Sequence, residues 1–385
     1  MNRLAPVLLA VLLMLCCACG DSSSETAETT YVPNCRPLSN PSHAPGSIGS
    51  LVDELAANEI TTQGLPGLTI EIAKPGRLPL YSQAYGYADA ATCRPAEVST
   101  AYQIGSVTKQ FTAAAVLQLD TDAHLSVDNP ATLYLSNYPF DSRITLRMLL
   151  NQTSGLQDYL SFPQAAAWVH GADERAVLGA IATAPLLFEP GSAYAYSNSN
   201  YYLLGSVIEA VSGATYGDYL AAAILNPLGL QSTSLTQPVA AAEPYVTGTS
   251  SGIIPDPSFY FSAGALWSNV GDLTAWDAAL IGGRVLDAQH FAEWTTPPPG
   301  VPQYQSSVAT DYAMGWIHDS LLGHTFLWHN GQTAGYTAFN AVFADDGLSI
   351  AILTNVATRE DTPLVDFAKN VLQTVCTNAS GAGSC

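Results

Sequence analysis

Charged residues are scarce in this sequence, and positively charged ones are the scarcest. Only 11% of the 385 residues are charged, and 12 Lys and Arg against 32 Asp and Glu give a formal charge of −20. So acidic a chain repels phosphate backbones, and nucleic acid is not an expected partner. Because 48% of the residues are hydrophobic, the composition predicts a folded protein rather than a disordered acidic polymer.

Lysine and the metal-binding residues are also sparse. The chain has three lysines, Lys74, Lys109 and Lys369, so a lysine within a motif is informative. Neither the seven histidines nor the cysteines fall at the spacings of zinc ligands. We therefore expect no zinc site.

The apolar segment at the N-terminus is too short to cross a membrane. It covers residues 4–18, whereas a spanning helix needs about 20. It fits an export signal, and its end resembles a bacterial lipoprotein signal with Cys19 as the lipidated residue, although Cys16 stands where Leu is usual. We expect a signal peptide at 1–19, a flexible tether at 20–46 and a location in the periplasm or at the cell surface. Ordinary cleavage near Ala18 is the alternative.

Four cysteines follow the signal, an even number that suits an oxidising compartment: Cys35, Cys93, Cys376 and Cys385. We favour the pairs Cys35–Cys93 and Cys376–Cys385, because the second closes only a short C-terminal loop. The other two pairings stay open.

Hydrophobic periodicity predicts strands near both ends of the chain and helices between them. Helices are expected over 50–60, 107–119 and 362–375, with mostly helical segments up to about 265. Strands are expected over 67–73, 81–88, 324–328, 336–343 and 348–353, the first two joined by a turn near Pro75-Gly76. This order predicts one sheet assembled from distant segments, with a helical insertion.

The first motif is Ser106-Val107-Thr108-Lys109, at the start of the buried helix predicted over 107–119. Residues three apart on a helix share a face, about 5–6 Å apart. A serine at a helix N-terminus lies where developing negative charge is favoured, and a desolvated lysine can act as a base. Taken alone, the pattern also fits a capping serine and a surface lysine.

The second motif is Tyr196-Ser197-Asn198, in a loop that precedes a helical pattern. A phenol beside a lysine can accept and return protons, and the Asn198 amide can bind a substrate. The third motif is His329-Asn330-Gly331, at the end of an apolar strand and followed by Gln332. Gly331 allows close backbone approach, so the N–H groups of Gln332 and Ser106 can form an oxyanion hole.

Together the three motifs resemble the serine β-lactamase and penicillin-binding-protein superfamily. The Y-S-N and H-x-G variants are similar to the branch that holds class C β-lactamases, secreted D-alanyl-D-alanine carboxypeptidases and related esterases. Further stretches fit that branch: Leu149-Leu150, Thr153-Ser154-Gly155-Leu156, Pro227-Leu228-Gly229-Leu230 and Ser262-Ala263-Gly264. The resemblance runs from about residue 50 to residue 375.

The resemblance implies an α/β fold, an antiparallel sheet flanked by helices, with an all-α insertion domain. The catalytic domain would cover 47–376, with the α/β part at about 47–105 and 265–376 and the helical part at about 106–264; residues 377–385 would be a tail. Ser106 would be acylated, Lys109 and Tyr196 would share the acid and base work, and Asn198, His329, Gly331 and Gln332 would line the substrate. The resemblance also implies that the protein needs no metal and no organic cofactor. The expected protein is a monomeric serine hydrolase that acts on peptidoglycan-type peptides, β-lactams or esters.

Two other interpretations of the sequence are alternatives to a serine hydrolase that acts through Ser106. Residues 248–252 satisfy the G-x-S-x-G pattern with Ser250, but Pro255 and Pro257 follow where a nucleophile elbow needs a helix. A catalytically weak, surface-anchored binding protein on the same scaffold is the second alternative. Loss of Ser106, Lys109 or Tyr196 would mark such a protein, and all three are present.

Recognition of a terminal carboxylate needs a cation, and arginine is the strongest one. We expect a strand before H-x-G over 314–318; it has no arginine, and His318 is its nearest candidate cation. A more distant residue such as Arg284 is the alternative. We therefore expect modest turnover of D-alanyl-D-alanine peptides, with simple esters cleaved comparably or better.

Overall fold

The structure is a computed structural model of the chain. It describes residues 35, 43–239, 241–245, 254–304, 311–357 and 363–378. The expected signal peptide with Cys19, most of the tether, Cys385 and the G-x-S-x-G pattern at 248–252 lie outside the described residues.

Ten strands are present among the described residues: β1 Gly67–Ala73, β2 Tyr81–Asp89, β3 Arg94–Pro95, β4 Tyr102–Gln103, β5 Trp267–Ser268, β6 Tyr312–Ala313, β7 Trp316–Leu321, β8 His324–Thr333, β9 Tyr336–Phe343 and β10 Leu348–Thr354. Eight of them form one antiparallel sheet in the order β3-β2-β1-β10-β9-β8-β7-β6, and β4 pairs with β5. Ile70 of β1 lies opposite Ile352 of β10, so the two ends of the chain meet at the centre of the sheet. This confirms the predicted sheet of distant segments.

The described helices are α1 Ile48–Gln63, α2 Thr108–Thr121, α3 Leu146–Leu150, α4 Ala165–Trp168, α5 Glu174–Thr183, α6 Asn198–Ser212, α7 Tyr216–Leu220, α8 Asn226–Leu228, α9 Pro257–Tyr260, α10 Val270–Ile281, α11 Ala288–Thr295 and α12 Pro363–Asn378. Helices α2 to α9 lie in the chain within the range expected for the helical part, about 106–264, and the domain bounds stay a prediction. None of the helices in the described ranges is both long and apolar enough to cross a bilayer.

The sheet has a hydrophobic cluster on each face, because alternate side chains of a strand point to opposite sides. Along β10, Ile350 and Ile352 join a cluster with α1 and α12, whereas Ala351 and Leu353 join the cluster that contains α2 and α10. All seven β10 residues are buried. The second cluster continues into the helices of the insertion, so α2 packs in the middle of the protein.

Two local predictions needed correction. The strand expected over 324–328 continues to Thr333, so His329 and Gly331 lie within β8 and not beyond its end. The strand expected over 314–318 begins at Trp316, because Gly315 adopts φ +90° in a turn between β6 and β7. A side chain at Gly315 would contact the backbone of Lys109, which requires glycine where this turn approaches α2.

A disulfide joins Cys35 and Cys93, with Cα atoms 5.5 Å apart, as expected from the cysteine count. It ties the segment before α1 to the loop between β2 and β3. Cys376, near the end of α12, is also disulfide-bonded. Its expected partner, Cys385, lies outside the described residues, so that pairing stays a prediction.

A buried carboxyl group lies between α10 and the sheet. Asp277 is 0% exposed, and its Oδ1 accepts a hydrogen bond of 2.9 Å from Asn340 Nδ2. Its Oδ2 has no partner among the described residues. Burial raises the pKa of Asp277 well above its usual value. In the unfolded chain this carboxyl group loses its proton at about pH 4. In the folded chain it is still protonated, and so uncharged, at that pH.

We expect the substitution Asp277→Asn to stabilise the protein, and more strongly at high pH. The folded pKa is raised, so the stability contributed by Asp277 is full at low pH and is lost as the pH rises from about 4 through the folded pKa. Each unit of difference corresponds to about 1.4 kcal/mol. Denaturant unfolding at about pH 5 and about pH 8 measures the change, with the exposed Asp345→Asn as control. An equal gain at both pH values would contradict an ionisation effect.

Candidate active site

Ser106 lies in a short 3₁₀ turn, Gly105–Val107, that leads directly into α2. Gly105 has φ +52°, and a Cβ there would lie 2.6 Å from the backbone nitrogen of Gln332, so the turn needs glycine on both counts. Helix α2 is buried along most of its length. The sequence therefore places Ser106 at the N-terminal end of a central helix, with strand β8 against it.

Lys109 is 0% exposed, and its ammonium group faces polar atoms on three sides. Nζ lies 2.8 Å from Ser106 Oγ, 2.8 Å from Asn198 Oδ1 and 2.7 Å from the carbonyl oxygen of Ala263. It also lies 4.9 Å from the centre of the Tyr196 ring. Desolvation lowers the pKa of Lys109 to about 7, so near neutral pH much of this lysine is an uncharged amine.

Tyr196 reaches the same oxygen from the other side. Its hydroxyl donates a hydrogen bond of 2.8 Å to Ser106 Oγ. Burial raises the pKa of Tyr196 well above its usual value, so the phenol keeps its proton at neutral pH. Gln152 fixes the loop, because its backbone oxygen accepts from Ala195 N at 3.0 Å and its Oε1 accepts from Ser197 N at 3.0 Å.

Asn198, the first residue of α6, links Lys109 to a carboxylate that the sequence did not reveal. Its Nδ2 donates to Asp158 Oδ2 at 2.8 Å, while its Oδ1 faces Lys109. Asp158 Oδ1 accepts from the backbone nitrogen of Leu160 at 3.0 Å. Burial raises the pKa of Asp158, and the hydrogen bonds from Leu160 and Asn198 oppose part of that rise.

His329 lies beside this cluster as a neutral ring. Its Nδ1 lies 2.6 Å from the carbonyl oxygen of Asn330, which only accepts, so Nδ1 carries the proton. Its Nε2 is then an acceptor for the Tyr312 hydroxyl at 3.2 Å. Desolvation lowers the pKa of His329 to about 3, which keeps the ring uncharged at neutral pH. Tyr312 also packs edge-on against Tyr196, with ring centres 5.9 Å apart.

The backbone of β8 meets the Ser106 turn at Gly331. A Cβ on Gly331 would lie 2.9 Å from Ser106 N and closer still to the carbonyl oxygen of Ile104. Together with the contact between Gly105 and Gln332 N, this places the two nitrogens expected for an oxyanion hole on adjacent backbone segments. Gln332 is exposed, so the cleft opens to solvent at this point.

The structure brings together every residue that the three motifs predicted for catalysis and substrate binding. It adds Asp158, Tyr312, Gln152 and the carbonyl of Ala263. Asp158 and Gln152 flank the stretch 153–156, and Ala263 lies in the stretch 262–264; both stretches carried the resemblance without a chemical role. Tyr312 had no signal, since a single tyrosine before a two-residue strand belongs to no motif.

The two cations considered for carboxylate recognition lie elsewhere. His318 pairs with Leu327 across β7 and β8, and Leu327 precedes Gly331 by four residues, about 13 Å along a strand. Arg284 is the neighbour of Val285, whose carbonyl oxygen bonds Gln118 near the far end of α2. That end is about 13 Å from Lys109 along the helix axis. In the described part of the chain, no group of three or more metal-ligating side chains comes together.

A hydroxyl held between an uncharged amine and a phenol, beside two backbone N–H groups, is the arrangement of a serine hydrolase. A family model described as Beta-lactamase matches residues 51–373, and this chain belongs to the beta-lactamase family. The match confirms the resemblance seen in the motifs, and the antiparallel sheet with flanking helices confirms the predicted fold.

Individual relatives agree with the family. A D-aminopeptidase of Cereibacter sphaeroides is 27% identical over 304 residues, which are 75% of this chain and 57% of that protein. A D-stereospecific amidohydrolase from Streptomyces sp. is 26% identical with a TM-score of 0.70, and the match covers 81% of this chain and 97% of that one. An octameric penicillin-binding protein homologue from Pyrococcus abyssi is 25% identical with a TM-score of 0.70, over 84% of this chain and 76% of that one.

Two of these relatives differ from this chain or from what we expected of it, one in length and one in oligomeric state. The chain spans little more than half the length of the D-aminopeptidase that it matches. A relative described as octameric gives no support to the expected monomer, so the oligomeric state of this chain stays a prediction.

We expect Gly331→Ala to lower kcat/KM by about 10²-fold, because the added methyl must push β8 away from the Ser106 turn. Steady-state kinetics on an ester substrate measures this loss. Gly179→Ala is the matched control, since a Cβ at Gly179 in α5 meets no atom within 4 Å. That control should keep full activity. Full activity in Gly331→Ala would contradict the close approach of the two segments.

Proposed function

We propose that the chain hydrolyses amide and ester bonds through an acyl-enzyme on Ser106. The main support for this proposal is that Lys109 Nζ and the Tyr196 hydroxyl each lie 2.8 Å from Ser106 Oγ. Uncharged Lys109 takes the proton of Ser106 as Oγ attacks the carbonyl carbon. The N–H groups of Ser106 and Gln332 stabilise the oxyanion that forms.

The protonation states of Lys109 and Tyr196 support different roles for them, the lysine as general base and the tyrosine as general acid. A pKa of about 7 for Lys109 suits a general base at neutral pH. Tyr196, whose raised pKa keeps it protonated, gives its proton to the leaving group as the bond to carbon breaks. The lysine ammonium then returns a proton to the phenolate. In deacylation, water gives a proton to Lys109 as its oxygen bonds to the acyl carbon, and Ser106 Oγ leaves with a proton from Tyr196.

The surroundings of Tyr196 favour an uncharged leaving group. The leaving atom must approach the Tyr196 hydroxyl, and beyond it lie the neutral side chains of Tyr312 and His329. Arg284 lies near the far end of α2, and His318 lies about 13 Å along β8 from Gly331. Neither therefore gives a terminal carboxylate a partner of opposite charge at the Ser106 turn. We therefore propose D-amino acid amides and esters, whose leaving groups carry no carboxylate, as substrates; the D-stereochemistry agrees with the names of the D-aminopeptidase and the D-stereospecific amidohydrolase. D-alanyl-D-alanine peptides and β-lactams would be weaker substrates.

We also propose that the protein is exported and lipid-anchored through Cys19. The Cys35–Cys93 disulfide supports an oxidising compartment. The mass of the mature N-terminal peptide distinguishes an acylated Cys19 from cleavage near Ala18.

The roles of Ser106 and Lys109 give one prediction. A fluorophosphonate should label wild-type protein at Ser106 and should not label Ser106→Ala, and Lys109→Arg should slow acylation by about 10²–10⁴-fold. In the wild type, kcat/KM should fall about tenfold per pH unit below pH 7, because protonation removes the base. An adduct on another serine, or an acid limb near pH 4, would contradict these assignments.

Substrate choice gives a second prediction. We expect kcat/KM for a D-amino acid amide and for p-nitrophenyl acetate to exceed that for a diacyl-Lys-D-Ala-D-Ala peptide and for nitrocefin. The matching L-amino acid amide is the control for stereochemistry. A clear preference for the D-Ala-D-Ala peptide would refute the uncharged leaving-group site.

A further inference from the structure

Both ends of the Asn198 amide are engaged inside the protein. Oδ1 accepts from Lys109 Nζ at 2.8 Å, and Nδ2 donates to Asp158 Oδ2 at 2.8 Å. An amide can be turned by half a rotation, which exchanges its donor and its acceptor. A carboxylate accepts only, so Asp158 permits one of the two orientations.

We propose that Asp158 is a positioning residue that holds the carbonyl of Asn198 toward Lys109, an inference that rests on the proposed function. Asp158 is itself held, since its other oxygen accepts from the backbone nitrogen of Leu160 at 3.0 Å in the turn Tyr159–Ser161. Asp158 also receives the backbone N–H of Asn198 at the start of α6, where the helix dipole favours a negative charge. The backbone N–H groups of Leu160 and Asn198 therefore fix the orientation of the Asp158 carboxylate toward the Asn198 amide.

The orientation of the amide matters because of what else faces Lys109. Oxygen atoms of Ser106, Asn198 and Ala263 surround its Nζ, and the rings of Tyr196 and Tyr201 lie 4.9 and 5.6 Å from it. Asp158 and neutral His329 are the titratable groups beyond them that act on it. With its carbonyl inward, Asn198 accepts from the lysine and leaves the amine lone pair for the proton of Ser106. With its NH₂ inward, it would donate to that lone pair and compete with Ser106.

Asp158→Asn is a nearly isosteric test of this arrangement. The new side chain can still accept from Leu160 N, as asparagine commonly does at turns. Its own NH₂ would then face the NH₂ of Asn198, and two donors cannot pair. The Asn198 amide should turn, which removes an acceptor from Lys109, while the substitution also removes a negative charge.

For Asp158→Asn we expect kcat for p-nitrophenyl acetate to fall at least tenfold with little change in KM. The acid limb of kcat/KM should move to lower pH, because the charged form of Lys109 loses support. Asp345→Asn, an exposed carboxylate far along the chain, should leave both unchanged. If Asp158→Asn does not fold, Asp158→Ser keeps an acceptor for Leu160 N and carries the same expectation.

A double-mutant cycle shows whether Asp158 acts through Asn198. In an Asn198→Ala background there is no amide to turn, so Asp158→Asn should change kcat less than twofold. An equal loss in both backgrounds would overturn the proposal. So would a loss confined to the KM of substrates with a free α-amino group, which would assign Asp158 to substrate binding. Failure of fluorophosphonate to label wild-type Ser106 would instead refute the proposed function, so the two failures are distinguishable.

Discussion

The burial of one lysine is the constraint on which the rest of the site depends. Lowering the pKa of Lys109 from 10.5 to about 7 corresponds to an unfavourable contribution of roughly 4–5 kcal/mol near neutral pH, comparable with the whole stability of many domains. The contribution is unfavourable because the unfolded chain holds this lysine charged and the folded chain does not. It fades only as the pH rises toward 10.5. The surrounding core must offset it.

The central position of α2 supplies that offset. The helix itself carries fully buried side chains, Phe111 and three alanines (Ala113, Ala114 and Ala115), and Phe111 stacks on Trp276 of α10 with ring centres 4.2 Å apart. The same dry environment that destabilises the ammonium makes each hydrogen bond to Nζ stronger than it would be in water. In the proposed function, the stability lost by burying Lys109 is what makes this lysine a base near neutral pH.

Features of the fold and of the site could be predicted from the sequence where they depend on residues close together in the chain. Strand β1 begins and ends where alternation predicts, and α2 follows from an apolar, alanine-rich segment. The pairing of β1 with β10 and the extension of β8 to Thr333 required the folded sheet, because register is set by partners far away in the chain. Short motifs made it possible to predict four site residues from the sequence: Ser106, Lys109, Tyr196 and His329.

The residues that escaped prediction are those whose role exists only after folding. Tyr312 matters because a sheet edge sets its hydroxyl against the one nitrogen of His329 that can accept. Asp158 matters because a turn sets its carboxylate against the start of α6. Neither side chain differs in kind from several others in the chain, and no local pattern distinguishes it. A single sequence reveals the reacting groups better than the groups that orient them.

The site has an electrostatic character that the overall charge of −20 does not suggest. Near neutral pH, Tyr196, Tyr312 and His329 are uncharged, and Lys109, with a pKa of about 7, is in part uncharged. In the proposed reaction, the oxyanion is therefore stabilised mainly by fixed N–H dipoles rather than by a permanent cation. Such dipoles act only at short range, so their placement matters more than their number. That is why two glycines, Gly105 and Gly331, lie where the Ser106 turn meets β8: any side chain at either position would separate the two backbone segments that hold those dipoles.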